Sequence, residues 1–261
     1  MTKTKAVVVL SGGQDSTTCL FWAIQQGYDV YTVTFDYGQR HARELESAMV
    51  IAGMAGIEPH KVEVIKLGAV LKGTSPLVSN TQLEQYKDHA SLPGGLEKTF
   101  VPMRNQMFLT IAANRAFCVG ASILITGVCE EDFGGYPDCR RTFISALEHA
   151  CNEGTFTGEA DTLPALEILT PLMYLTKAET VVLSEGLPGC YAALAYSHTS
   201  YDGQYPPTGK DHATLLRAKG FEEAKLPDPL VLRANKEGLM TLPKSANYSD
   251  HLVGIYSASL V

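Results

Sequence analysis

The sequence predicts an α/β protein built on a doubly wound parallel sheet, and three observations predict it. Short apolar runs rich in β-branched residues alternate with longer helix-like runs, the βαβα order that lays parallel strands side by side under helices. A glycine turn, Ser11-Gly12-Gly13-Gln14-Asp15-Ser16, separates the first apolar run from the first helical one. The other polar blocks fall after predicted strands or before predicted helices, where such sheets hold ligands at the carboxyl ends of their strands.

The first strand is expected over 5–10, where Ala6-Val-Val-Val-Leu10 reads as a buried strand, and the first helix over 17–26. Between them, two glycines let the backbone pass close to an anion without a Cβ in the way. The free N–H groups of the first helical turn then point at that anion. Phosphate or pyrophosphate is the expected ligand, with a plain strand-to-helix turn as the alternative. There is no Gly-Lys-Ser/Thr and no third glycine at dinucleotide spacing, which counts against a kinase-like or NAD-binding site. A second strand is expected over 30–35, a helix over 41–55 and a third strand over 61–67. Residues 68–100 are polar and carry Gly73-Thr-Ser-Pro76, Ser79-Asn-Thr81 and Pro93-Gly-Gly95, too long a stretch for a simple connection, and read as an excursion or lid over the site. A helix over 105–119, a strand over 122–126 and a helix over 140–152 follow. Beyond about residue 186 the pattern is broken by Pro188, Gly189, Gly203, Pro206, Pro207, Gly209, Pro227, Pro229 and Pro243. The reading is a nucleotide-binding domain over 1–186 and a C-terminal extension over 187–261 packed on it, with one short helix at 212–219.

The chain of 261 residues is long enough for a sizeable core, and 45% hydrophobic with 19% charged residues is the composition of an ordinary soluble globule. Against 28 Asp+Glu, 21 Lys+Arg leave a net charge of −7, which argues against a broad nucleic-acid-binding face. No apolar stretch reaches the roughly 20 residues of a membrane span, and Met1-Thr-Lys-Thr-Lys5 runs into a strand and not into a signal-peptide core, so the expected compartment is the cytoplasm. The six cysteines contain no Cys-x-x-Cys pair and are expected as thiols, mostly small buried apolar groups.

Ser-Gly-Gly-x-Asp-Ser resembles the pyrophosphate loop of the ATP pyrophosphatases, which split ATP between its α and β phosphates and activate a substrate as the adenylate. Further blocks point the same way. Phe35-Asp-Tyr-Gly-Gln-Arg-His41 ends the second strand, Thr99-Phe-Val-Pro-Met-Arg-Asn105 precedes a helix, and Thr126 to Arg140 follows a strand with Cys129, Phe133, Tyr136, Asp138 and Cys139 inside it. Thr170-Pro-Leu-Met173 and Lys177-Ala-Glu-Thr180 come last. In this order the blocks closely resemble the 7-cyano-7-deazaguanine synthase family of queuosine precursor biosynthesis, over roughly residues 5–190.

That resemblance implies a doubly wound sheet of the adenine nucleotide alpha hydrolase type and an AMP-forming ligase that makes C–N bonds. The carboxylate of 7-carboxy-7-deazaguanine is adenylated, ammonia gives the amide, and a second adenylation leads to the nitrile. ATP and Mg²⁺ are the implied cofactors, and a homodimer the implied assembly, with no direct nucleic-acid or membrane partner. Ser11, Gly12, Gly13, Asp15 and Ser16 would cradle the β,γ-phosphates, with Asp15 toward Mg²⁺ or its waters; a helix N-cap is the other reading of Asp15. Asp36, Tyr37, Gln39 and Arg40 would line the nucleoside side. Asp138 would accept from the N1–H and amino group of the base, with Phe133 and Tyr136 as stacking faces or, alternatively, core aromatics. Arg104 and Lys177 are placed to neutralise the substrate carboxylate and the transferring phosphoryl group, although a lone Arg or Lys is usually a solvated charge. Cys129 and Cys139 read as packing groups, and His41 is the one histidine expected near the site.

The chain departs from the family pattern at its zinc site, usually one cysteine plus Cys-Gly-x-Cys-x-x-Cys. Cys190 and the segment Leu216-Arg217-Ala-Lys-Gly-Phe221 are present, but Thr208, Asp211 and Thr214 stand where three thiolates belong. Two hydroxyls and a carboxylate are poor zinc ligands, and a rebuilt site from Cys190, His198, Asp211 and His212 has irregular spacing. No structural zinc is expected. Three functions therefore stay open: nitrile synthesis, ligation of the activated deazaguanine to another amine, including one on a protein, or a non-catalytic nucleotide or deazapurine binder.

Overall fold

A computed structural model describes residues 2–38, 43–73, 75–78, 84–88, 98–130, 136–156, 164–200 and 203–258. Five strands, β1 (Lys5–Val9), β2 (Asp29–Asp36), β3 (Val62–Lys66), β4 (Ile123–Ile125) and β5 (Glu167–Leu169), form one sheet in the order β3-β2-β1-β4-β5. Every pairing is parallel, with Ala6 opposite both Val30 and Ile123 and Val8 opposite both Thr32 and Ile125. The sequence-predicted α/β class with a parallel sheet is what the chain adopts.

The side-chain alternation of β1 shows why both faces must be covered. Val7 joins one core with Leu124, Leu109, Ala112, Ala116, Ile144 and Ile168, while Ala6 and Val8 join the other with Leu20, Ala23, Ile51, Leu172 and Cys190. The first core is roofed by α3 (Arg104–Val119) and α4 (Arg141–Cys151), the second by α1 (Gln14–Gln25), α2 (Arg43–Met54) and α6 (Cys190–Leu194). Strand order reverses direction between β1 and β4, so their following loops splay apart and leave a crevice above their carboxyl ends.

Several boundaries differ from expectation for local reasons. α1 begins at Gln14 and not at residue 17, so the glycine turn shrinks to Ser11–Gly13 and Asp15 and Ser16 lie in the first helical turn. α5 (Lys177–Gly186) opens with a reciprocal cap between Thr176 and Glu179, a start signal that fixes Lys177 as the first helical residue. α7 (His212–Glu223) runs past Gly220, which packs against α5, and so outlasts the helix expected over 212–219. α8 (Pro229–Lys236) starts from the Asp228 cap with Pro229 at its first position, and α9 (Asp250–Ala258) lies near the C-terminus. Much of the expected excursion over 68–100 lies outside the described residues. Within it, Ser75 Oγ donates to the Thr99 carbonyl at 3.0 Å and the Tyr86 N–H to the Lys210 carbonyl at 2.7 Å. Among the described residues, no helix is long and apolar enough to cross a membrane. All six cysteines are thiols.

Candidate active site

The crevice is a cavity of about 350 Å³ bounded by the ends of β1, β2 and β4 and roofed by α5 and α7. Ser11, Gly13, Asp15, Ser16, Thr126, Gly127, Lys177 and His212 line one part of it, and Tyr37, Glu44, Arg104, Phe108 and Tyr136 belong to its lining as well.

The glycine turn is built for close approach. Gly12 has φ +83°, and a Cβ there would stand 2.5 Å from the Glu44 carbonyl oxygen and 2.8 Å from the Ala48 nitrogen, so the loop lies flat on the first turns of α2. Ser16 Oγ donates to the Gly13 carbonyl at 3.2 Å and accepts the Ser11 N–H at 3.2 Å, which holds the turn's shape from inside. Gly13 is the N-cap of α1 and supplies no side chain to its first-turn N–H groups, leaving them for an anion. The helix-cap reading of Asp15 therefore falls, because Asp15 is itself inside that turn.

Asp15 has two unlike oxygens. Its Oδ2 accepts from Lys177 Nζ at 2.7 Å, while Oδ1 is buried with no hydrogen-bond partner among the described residues. The loop after β4 closes on it, since a Cβ on Gly127 would lie 3.0 Å from the Asp15 carbonyl carbon. A buried carboxylate oxygen beside a phosphate-shaped turn fits a bound cation, and the donor set suits Mg²⁺ with ATP.

At the β2 and α3 side, Arg104 opens α3 directly after Met103, which adopts a left-handed φ of 65°. That backbone costs about 1 kcal/mol for a side-chain-bearing residue and sets the direction in which Arg104 leaves the helix. Arg104 hydrogen-bonds the Tyr37 side chain. Burial pushes the Glu44 carboxyl up to about 7 against the opposing charge of Arg104. Phe35 stacks on Phe108 at 4.3 Å between centroids, and Tyr136, held by a 2.8 Å hydrogen bond to Thr99 Oγ1, offers an aromatic face.

Not every expected residue joins the cavity. Asp138 is 8% exposed and is not among the residues that line it; its carboxylate accepts the Asn105 backbone N–H, burial raises its pKa and Arg104 opposes the rise. Asp36 turns back to accept the Gly38 N–H at 3.3 Å. Gln39, Arg40, His41 and Phe133 lie outside the described residues. The sequence reading overlooked Glu44, which looks like an ordinary helix-surface charge, and, within the C-terminal extension it packed on the domain, the residues that wall the cavity. In that wall the His198 N–H donates to the Gly12 carbonyl at 2.8 Å, and His212 is pushed down to about 4 by burial and then by the charge of Lys177. A Cβ on Gly220 would lie 2.9 Å from Lys177 Cβ, so α7 bears on the root of that lysine.

Where the family pattern has thiolates, a polar cap stands. Asp211 caps α7, accepting the Thr214 N–H at 3.0 Å through Oδ1 and the Ser200 hydroxyl at 2.7 Å through Oδ2. Burial pushes the Cys190 thiol up to about 12, and Thr208 is exposed. Nearby, the buried Arg217 guanidinium forms a bidentate pair with Asp228 at 2.6 and 2.9 Å and donates to Ser197 Oγ and Thr199 Oγ1.

Comparison with known proteins gives the chain its family. The family described as queuosine biosynthesis protein QueC matches residues 5–225. A 7-cyano-7-deazaguanine synthase of Gloeobacter violaceus is 53% identical over 228 residues, 87% of this chain and 95% of that protein. One from Chromobacterium violaceum is 47% identical over 235 residues, 89% of this chain and 95% of that protein. Among solved structures, a 4-thiouridine synthetase in complex with RNA and ATP aligns with a TM-score of 0.46 at 19% identity, over 90% of this chain and 53% of that one. The match over residues 5–225 and these identities make the chain a member of the QueC family of queuosine biosynthesis proteins.

Proposed function

We propose that the protein converts 7-carboxy-7-deazaguanine to 7-cyano-7-deazaguanine, using ATP and ammonia and releasing AMP and pyrophosphate. The observation that carries this reading is Asp15: one oxygen on Lys177, the other buried and unpartnered, beside first-turn N–H groups that no side chain caps. A carboxylate is a poor electrophile until its oxygen becomes a leaving group, so the site must bring a phosphate cradle to a bound acid. Ser11, Gly12, Gly13 and Ser16 form that cradle. Mg²⁺ bound at Asp15 would supply charge neutralisation to the phosphates. Lys177 provides a second positive charge there, and Arg104 receives the substrate carboxylate. Tyr136 and Phe133 offer faces for the deazaguanine ring. Tyr37, together with Asp36, Gln39 and Arg40 of the same sequence block, serves the nucleoside. Asp138 remains the candidate acceptor for the base, its hold on the first turn of α3 giving it a second task.

The same reading places the protein in the cytoplasm as a homodimer without structural zinc, its segment 187–261 serving as a wall for the nucleotide domain 1–186. The polar cap around Asp211 supports the zinc-free part. Mass spectrometry of the protein with ATP, 7-carboxy-7-deazaguanine and ammonium tests the function directly. The nitrile with AMP is the expected product; ADP, or an adduct to another amine in place of the nitrile, refutes the reading.

A further inference from the structure

Two carboxylates among the described residues line the cavity, and phosphate chemistry uses only Asp15. The other, Glu44, sits on the first turn of α2. Its own carbonyl is the atom that a Cβ on Gly12 would meet first, so its backbone lies close against the glycine turn. Its side chain meets the field of Arg104 from α3 and acts on Tyr37 at the end of β2, while Asp15 and Lys177 pair with each other.

The reaction must dispose of protons. Attack by ammonia on the acyl adenylate forms the C–N bond, breaks the C–O bond to AMP and releases one proton from nitrogen. The amide oxygen then takes AMP from a second ATP as pyrophosphate leaves. Loss of the two remaining N–H protons with cleavage of that C–O bond forms the nitrile and frees AMP. Three protons therefore leave nitrogen. We propose that Glu44 is the base that accepts them in both halves of the reaction and passes them to solvent.

Three other titratable groups of the cavity, Lys177, Tyr37 and His212, are ill suited, and the imidazole of His198, which also lines it, is the competitor that the Glu44 variant below separates. Lys177 is a cation paired to Asp15, burial raises the Tyr37 hydroxyl above its ordinary range, and His212 at about 4 is too weak a base. Glu44, at about 7, coexists as acid and carboxylate at neutral pH and can both take and return a proton.

This proposal rests on the nitrile-synthase reading, and one variant separates the two. Exchange of labelled pyrophosphate into ATP, dependent on 7-carboxy-7-deazaguanine, follows the first adenylation, in which no nitrogen proton moves. Glu44→Gln should slow amide and nitrile formation ~100-fold more than it slows exchange. Wild type should show an acid limb near pH 7 in kcat, and the variant should lose it. Hydroxylamine, uncharged at neutral pH, should still trap the acyl adenylate as hydroxamate. Equal losses of exchange and nitrile formation, or nitrile formation at the wild-type rate, overturn the assignment of Glu44. Absence of substrate-dependent exchange in wild type overturns the substrate itself and the role of Glu44 with it.

Discussion

Gly220→Ala is a substitution whose effects on stability and on rate should part company. Gly220 lies inside α7, and the added methyl would stand 2.9 Å from Lys177 Cβ and 3.2 Å from the Lys177 carbonyl carbon. Ordinary contact begins near 3.4 Å, so the two helices must separate by about half an ångström. These are backbone and root atoms, with no flexible tip to swing aside. Alanine gains about 1 kcal/mol of helix propensity, and overpacking costs about 1–3 kcal/mol, so the net destabilisation is about 0–2 kcal/mol. The Lys177 ammonium, 2.7 Å from Asp15, moves with its helix. Since an error of ~1 Å in a positioned group costs ~100-fold, half of that predicts about a tenfold loss of AMP formation, or about 1.4 kcal/mol in the barrier. Paired measurements of melting temperature and of substrate-dependent pyrophosphate exchange test this. Gly254→Ala, in α9 with no atom within 4 Å of the new methyl, is the control and should stabilise without slowing the reaction. A Gly220→Ala protein with full exchange activity would refute the claim that α7 positions Lys177.

Asp15→Ala should depress AMP formation at least ~10-fold, about 1.4 kcal/mol, measured by AMP release at saturating ATP and varied Mg²⁺; an unchanged rate refutes its place at the phosphates. His212 titrates near 4 when folded against 6.5 in the unfolded chain, so between those values the unfolded chain binds more protons and stability is lost as pH falls through the window. The loss amounts to about 3 kcal/mol, and urea midpoints from pH 6.5 to 4 should fall less steeply for His212→Gln than for wild type. The purified protein should carry far less than one zinc per chain and keep its melting temperature in strong chelator, whereas Asp211→Ala should cost about 1 kcal/mol through the lost cap of α7. Stoichiometric zinc by elemental analysis would overturn that last expectation.

What the sequence displayed well was chemistry carried by neighbours along the chain. The run Ala6-Val-Val-Val-Leu10, the glycines at 12 and 13 and the helix after them are local signals, and β1, the turn and α1 follow from them. β5 escaped because its three residues open on an exposed Glu167, whereas the equally short β4 is apolar and buried throughout. Glu44 escaped because its place in the cavity, in the field of Arg104, depends on tertiary packing that a helical pattern of mixed charge does not display. His198, His212 and Gly220 enter the site only through tertiary contact with Gly12 and Lys177. Asp138 shows what residue type alone leaves out: beside the base recognition it suggested, the fold gives its carboxylate a backbone N–H on α3.

The hydrogen bond from the His198 N–H to the Gly12 carbonyl joins the C-terminal segment to the glycine turn near the start of the chain, and this matters for a polypeptide emerging from the ribosome. The strands β1 and β2 pair between near neighbours in sequence and can form early, but the cavity lacks a wall until α7 has been made. A nascent chain ending before residue 212 would present the glycine turn to solvent with Lys177 unbraced. One ending between α7 and α8 would supply the wall yet lack Asp228, leaving the Arg217 guanidinium buried without its carboxylate. A buried charge stripped of its partner costs about 3–5 kcal/mol, enough to keep such a chain from settling. Catalytic competence therefore arrives late in synthesis, with the salt bridge that locks the last wall in place.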